Sequence, residues 1–435
     1  MKVKKMLAVL LAALFVLTSC GKTTDKESSA EVSTEEKSST EESSKEITKE
    51  EKEVEIIFWH AMNGGQEEAL TSLTESFMNE NPNIKVTLQN QANYGDLSQK
   101  ITSTMQSPKN LPTITQAYPD WLVGAIKEGL VVDLTSYIDN ADKAIALDNK
   151  DDILEGLRKG VEIDGGIYGM PFNKSTEVLW YNKTLFDELQ LEVPKTFEEL
   201  KEVSKTIFEK KNIAGVGFDS LSNYYTTYLQ NKGVAFDENL DVTGDLSKEA
   251  CNYYFEGIKG GYFRIAGTDK YLSGPFGNEQ VAMYVGSNAG ETYVKEGVSG
   301  KFEYAVAPYP AEQSVQQGTD IYMFNEASEE QKSAAWEYLK YLTSKDAQVE
   351  WATKTGYMPI RKSAIESDAY KNSDSAIAPI LAEATKNLYS RPLKDGSQTA
   401  YNDVGAMLEA LLSSPDNDVE DALNSFKETF ESAWK

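Results

Sequence analysis

The side chains best suited to grip a small molecule follow three short, strand-like apolar runs at residues 54–59, 84–88 and 112–116. Beyond their ends stand His60, Tyr94, Asp120 and Trp121. Flat aromatic faces suit the C–H side of a sugar ring, and hydroxyls or carboxylates suit its hydroxyls, whereas a phosphate also asks for cations or backbone N–H groups. Little points to covalent or metal chemistry. His60 is the single histidine, and Cys20 and Cys251 are the two cysteines, too few and too far apart for a His/Cys metal centre. Cys251 stands in a helix-like stretch beside Tyr253, Tyr254 and Phe255 and reads as a small core residue. No nucleophile turn of the Gly-x-Ser-x-Gly kind is present, so no catalytic residue, metal or cofactor is expected.

The elements that would position these residues follow from periodicity. Leu70, Leu73 and Phe77 recur at helical spacing over residues 66–79, Asn81-Pro82 closes that helix, and the second strand follows at once. Strand, helix and strand in this order make a βαβ unit of an α/β lobe. Ligands of open α/β sheets bind beyond the carboxyl ends of the strands, which puts His60, Tyr94, Asp120 and Trp121 beside a cleft. At 435 residues the chain exceeds what one core supports, so two lobes are expected. The stretch 169–182 joins a turn-prone polar piece, 173–176, to an apolar piece, 178–181, with Pro171 fixing φ ahead of the turn, and reads as the passage between lobes. Further on, Thr196 and Glu199 stand at capping-box spacing, a strand is expected at 215–218, and Tyr224 and Tyr228 share a helix face open to either a core or a cleft role. Strands are expected at 304–309 and 318–324, and helices at 329–343, 346–353, 400–412 and 419–434.

A formal charge of −26 would repel a nucleic-acid backbone and an anionic membrane surface, so nucleic acid is not an expected partner. Residues 1–20 carry Lys2, Lys4 and Lys5, then an apolar run over 6–17, and read as a secretory leader. Its end, Leu17-Thr18-Ser19-Cys20-Gly21, resembles a bacterial lipobox, which implies cleavage before Cys20 and lipidation of that cysteine. Two acyl chains give lasting membrane attachment where one gives marginal binding. Residues 21–53 are Ser, Thr, Glu and Lys with almost nothing apolar, a tether that would reach about 30 Å as a flexible coil.

The segment Gly169-Met-Pro171-Phe-Asn173-Lys-Ser175-Thr-Glu-Val-Leu-Trp-Tyr-Asn-Lys183 resembles the crossover of the extracellular solute-binding proteins of ABC importers, carbohydrate type, and most of all their glycerol-3-phosphate-binding branch. Similar motifs stand at Phe58-Trp59-His60-Ala61-Met62, Asn79-Glu80-Asn81-Pro82 and Thr355-Gly356-Tyr357-Met358-Pro359-Ile360. The resemblance implies a two-lobe periplasmic-binding-protein-like fold of type II, α/β in both domains, with a multi-segment hinge and the ligand cleft between them. Lobe 1 would be 54–173 plus 315–355, and lobe 2 174–314 plus 356–435. It implies a monomeric lipoprotein on the bacterial cell surface or periplasmic side that captures a sugar, glycerol-3-phosphate or a glycerophosphodiester and hands it to the transmembrane subunits of an ABC permease. Carried over by position, Tyr94, Ser175, Ser287, Gly318 and Tyr357 match ligand residues, and Tyr224 falls where the branch has a stacking tryptophan. Two departures stand out. The branch's Gln-x-Tyr-Glu is here Gln116-Ala117-Tyr118-Pro119, leaving Asp120 as the nearest carboxylate. Its Leu-Arg-x-Gly-Asn is here Leu393-Lys394-Asp395-Gly396-Ser397, so Lys394 stands for the phosphate-binding arginine as a point charge that cannot grip bidentately. A surface enzyme such as a glycosidase and an adhesion or sensory lipoprotein are the competing readings.

Overall fold

A computed structural model describes residues 53–435; the leader, most of the tether and Cys20 lie outside the described residues. Val54–His60 (β1), Ile84–Asn90 (β2) and Ile114–Ala117 (β3) run parallel, with β1 between the other two. Helix α1, Gly65–Glu80, connects β1 to β2 and buries Leu70, Leu73 and Phe77 as their spacing predicts. Asn81 N–H returns to the Phe77 carbonyl and Pro82 prevents a further turn, so the helix stops there. After β2, the Asn93 side chain caps helix α2, Tyr94–Thr104, by accepting the Asp96 N–H at 3.0 Å.

The strand Gly169–Asn182 (β4) corrects one expectation. Residues 173–176 form no turn; all 14 residues are one strand. Asn173, Lys174 and Thr176 stay extended because each finds a buried partner, which lifts the usual cost of burying them. Pro171 brings no N–H to the ladder, and the register slips there: Thr319 faces Asn173, while the next residue, Asp320, faces Pro171.

The chain continues through Phe197–Lys211 (α3), Ala214–Phe218 (β5), Leu221–Asn231 (α4), Asp245–Lys259 (α5), Phe263–Ile265 (β6), Val281–Ser287 (β7), Tyr304–Pro308 (β8) and Ser314–Met323 (β9). Glu329–Leu342 (α6), Lys345–Thr355 (α7), Leu388–Tyr389 (β10), Ser397–Leu412 (α8) and Val419–Ala433 (α9) follow. Thr196 caps α3 by accepting the Glu199 N–H at 3.1 Å, while the Glu199 carboxylate reaches one residue further back, to the Lys195 N–H. The strands form one mixed sheet in the order β2-β1-β3-β9-β4-β7-β5-β6, with β8 on β4 and β10 on β9. The first half of β4 pairs antiparallel with β9, and the second half pairs with β7 and β8. Consequently the carboxyl ends of β1 and β3, and of β5 and β7, converge on the middle of β4. Leu179, on that second half, belongs to a core with α4, α5, α8 and α9 that also holds Cys251, whose thiol burial pushes up to about 12. Among the described residues no helix is long and apolar enough to cross a membrane.

Candidate functional site

Where those strand ends meet lies a cavity of about 400 Å³, within the range of small-molecule sites. One wall is aromatic. Tyr94, at the start of α2, and Tyr118 and Trp121, just past β3, meet edge to face or tilted at centroid separations of 5.6 Å for Tyr94–Tyr118 and 5.2 Å for Tyr118–Trp121. The Trp121 Nε1 is buried without a hydrogen-bond partner, as is the Gln317 Oε1 on β9. Both residues line the cavity, and each leaves one buried polar atom unpaired there.

The opposite wall comes from α4, α8 and the segment after β10. Asn223 lines it near the start of α4, where Ser220 caps the helix by accepting the Asn223 N–H at 3.1 Å. Tyr401 of α8 donates its hydroxyl to the Asn223 Oδ1. Arg391 lies over the Tyr401 ring at 4.3 Å and the Tyr118 ring at 5.1 Å, and its Nη2 stands 3.3 Å from the buried Asp120 carboxylate. Burial pulls the guanidinium pKa down, but Asp120 and the surrounding tyrosines outweigh it and the net shift is upward, so Arg391 stays charged. An adjoining cavity of about 50 Å³ shares Tyr118, Gln316 and Arg391 and is also lined by Asp120, Lys174 and Gly318.

The sheet contributes Val315, Gln316 and Gln317 of β9 to the main cavity, and Lys174, on the polar half of β4, to the smaller one. Asn173 donates to the Tyr94 hydroxyl at 3.2 Å, and its Oδ1 accepts from Thr319 at 2.7 Å and from Gln116 at 3.3 Å. Lys174 reaches the Gly318 carbonyl at 3.0 Å and both Asp320 oxygens at 3.0 and 3.1 Å, inside the protein. Burial still lifts the Asp320 carboxyl, to about 6, against the pull of that lysine. Gly318 has φ +88, and a Cβ there would sit 2.0 Å from the Asn173 carbonyl oxygen, so only glycine fits.

The predicted residues divide accordingly. Tyr94 and Trp121 line the main cavity, and Asp120 and Gly318 line the smaller one. Tyr357 stands one hydrogen bond away, its hydroxyl 3.0 Å from that of Tyr94 and its ring stacked on Trp351. Burial, then each other's proximity, raises Tyr94 well above 10, so it enters the site as a neutral phenol. Ser175 is buried opposite Gln317, and Ser287 accepts the Ala289 N–H at 3.1 Å; neither lines these cavities. Two assignments are corrected. Tyr224 is fully buried core: its hydroxyl donates to the Ala250 carbonyl at 2.7 Å and its ring packs against Phe218 and Tyr254. A helix turns about 100° per residue, so it is the preceding Asn223 that faces the cavity. Lys394 is exposed and paired with Glu238, because the loop carries it outward; Arg391, three residues earlier, supplies the cation. Tyr118, Asn223, Gln317, Arg391 and Tyr401 escaped the sequence reading. Of these, Arg391 is within reach of the sequence, as a cation beside Pro392 immediately before the segment 393–397 that resembles the arginine motif. His60 also sits in the interior, accepting the Met62 N–H at 3.3 Å.

Comparison with known proteins agrees with this architecture. Residues 72–378 match the family described as bacterial extracellular solute-binding protein. The chain is similar to the sn-glycerol-3-phosphate-binding periplasmic protein UgpB of Brucella melitensis, with 25% identity over 76% of this chain and 81% of that one. It is also similar to the maltotriose-binding protein of Pyrococcus abyssi, with 22% identity over 86% and 81%. Among solved structures, the GacH receptor of Streptomyces glaucescens superposes with a TM-score of 0.75 at 21% identity, covering 87% of this chain and 98% of that one. UgpB from Mycobacterium tuberculosis in complex with glycerophosphocholine gives 0.76 at 19%, with the same coverage. The family match spans well over half of the chain, and the α/β sheet, the crossing strand and the cavity at the strand ends fit it: this chain belongs to the bacterial extracellular solute-binding proteins.

Proposed function

We propose that the chain is the lipid-anchored receptor of an ABC importer, that it closes on an uncharged, hydroxyl-rich carbohydrate, and that it passes this solute unchanged to a membrane permease. One observation carries the choice of ligand. The main cavity is walled by aromatic faces, amides and hydroxyls, and its one charged lining residue, Arg391, already faces the Asp120 carboxylate at 3.3 Å. A phosphate would have to compete with that carboxylate, whereas a sugar hydroxyl can share it. Closure would move 54–173 with 315–355 against 174–314 with 356–435 about β4, the hinge mode of periplasmic binding proteins. Cys20 would carry the lipid, and the monomer would work at the cell surface or the periplasmic face. Ser175 and Ser287, which lie on β4 and β7, would reach the ligand only on closure.

A second reading, a glycerophosphodiester, is favoured by the guanidinium of Arg391 held between two rings and by the likeness to the UgpB proteins. The test is calorimetry with maltotriose, glycerophosphocholine and sn-glycerol-3-phosphate, paired with small-angle scattering. Maltotriose binding with a smaller radius of gyration is the expected result. Selective binding of glycerophosphocholine moves the assignment to the second reading, and silence toward all three with no compaction overturns the receptor role for these solutes.

A further inference from the structure

Glu177 is an unexplained residue at the centre of the molecule. It stands on β4 where the pairing changes from β9 to β7, opposite Ser287, and is 1% exposed. It makes no ion pair among the described residues. Its Oε1 accepts the Asn223 Nδ2–H at 2.9 Å, and its Oε2 is buried with no hydrogen-bond partner. An apolar side chain would fill this place at lower cost to stability, so a buried carboxyl here calls for another reason.

The reason lies one bond further on. A side-chain amide offers two donors and two acceptor lone pairs, and its two orientations differ only in which end meets which partner. Asn223 is clamped at both ends: its nitrogen donates to Glu177 and its oxygen accepts from Tyr401. One N–H and one lone pair remain, on a residue that lines the cavity. From Tyr401 the chain of contacts passes to Arg391 and Asp120. We infer that Glu177 is a positioning residue for ligand recognition, holding the Asn223 amide in one orientation and so fixing which donor and which acceptor that wall presents. This rests on the reading of the cavity as the ligand site.

The groups around Glu177 suit a neutral acid rather than an anion. Asp219, just past β5, faces it, as do the phenols of Tyr309, Tyr389 and Tyr401. Burial, with Asp219 adding to it, pushes the carboxyl up to about 8. Protonated on Oε2, it keeps Oε1 as a carbonyl-type acceptor for the Asn223 amide. Glutamine would supply the same acceptor without the titration, and alanine would supply nothing.

The experiment follows the Asn223 side-chain amide by NMR in the isotope-labelled intact chain without ligand, with the signals assigned by their loss in Asn223→Asp. In the native chain these signals are expected to titrate with a midpoint of about 8. Glu177→Gln should leave them near their low-pH positions and abolish the titration, and Glu177→Ala should displace them. In calorimetry with maltotriose at neutral pH, Glu177→Ala should weaken binding roughly tenfold, the scale of one misplaced buried hydrogen bond, and Glu177→Gln should recover most of that loss. Amide signals that keep their native positions in folded Glu177→Ala overturn the inference, and so, should that variant not fold, does a titration that persists unchanged in Glu177→Gln. If the amide titrates as expected but neither maltotriose nor glycerophosphocholine binds the native chain, the ligand reading falls while the positioning role stands.

Discussion

Two kinds of burial lie end to end along β4. From Asn173 to Thr176 every side chain is polar and at most 3% exposed, and from Val178 to Trp180 every side chain is apolar and fully buried. The apolar half is held by packing, which tolerates small shifts in direction. The polar half is held by bonds that do not: Lys174 to Asp320, Asn173 to Thr319 and Gln116, and Thr176 to the Ser314 hydroxyl at 2.8 Å and the Val315 carbonyl at 2.9 Å. Only the polar half adjoins the cavities. Directional bonds therefore stand where the geometry of the site has to be kept, and dispersion forces stand where stability alone is at stake.

The largest effects should come from cutting either half. Asp320→Ala leaves the Lys174 ammonium buried without its counter-charge, and a loss of about 3–5 kcal/mol is expected in chemical denaturation. Trp180→Ala empties a packed position and should cost a similar amount, about 3–5 kcal/mol. Their pH dependence should separate them. Burial raises Asp320 to about 6, Asp219 to about 7 and Glu177 to about 8, above the roughly 4 of an unfolded carboxyl. The folded state then holds protons that the unfolded state releases, so stability is greatest below about pH 4, falls as pH rises from there, and levels off above about 8, once the folded-state carboxyls have ionised too. Denaturant midpoints measured from mildly acidic to mildly alkaline pH should show that fall. Asp320→Ala should flatten its lower part, while Trp180→Ala should displace the whole curve without changing its slope. Equal slopes in the two variants would erase the distinction between the halves.

Smaller effects should separate the two cations near the site. Arg391→Lys keeps a charge but loses the flat group that lies over Tyr118 and Tyr401, and maltotriose binding should weaken by about one order of magnitude. Lys394→Ala should change that affinity by less than about twofold, the scale expected when only a surface ion pair is lost. The reverse order in calorimetry would return Lys394 to the site.

Most of the framework was legible because it rests on local rules. The βαβ unit, the helix stop at Asn81-Pro82, the Thr196 cap and the strand ends that aim Tyr94 and Trp121 into the cavity all follow from periodicity, capping and strand direction. What could not be read depended on partners distant in sequence. Residues 173–176 look like a turn until Asp320, Thr319 and Ser314 are brought beside them. Tyr224 and Asn223 are adjacent on one helix, and no local signal says which faces the cavity. The pairing of Arg391 with Asp120 joins residues 271 positions apart, and with it the electrostatic character of the site.

The glycine at position 318 limits how this receptor can change its solute. Any side chain there would collide with the backbone of the neighbouring strand, so the smaller cavity cannot be remodelled by substitution at this position. New preferences would have to be written on the walls, among Asn223, Gln398 and Tyr401 on one side and Ser98, Gln99 and Trp121 on the other. In a lineage that moves from one nutrient to another, variation would be expected to gather at those positions while the glycine at 318 stays as it is.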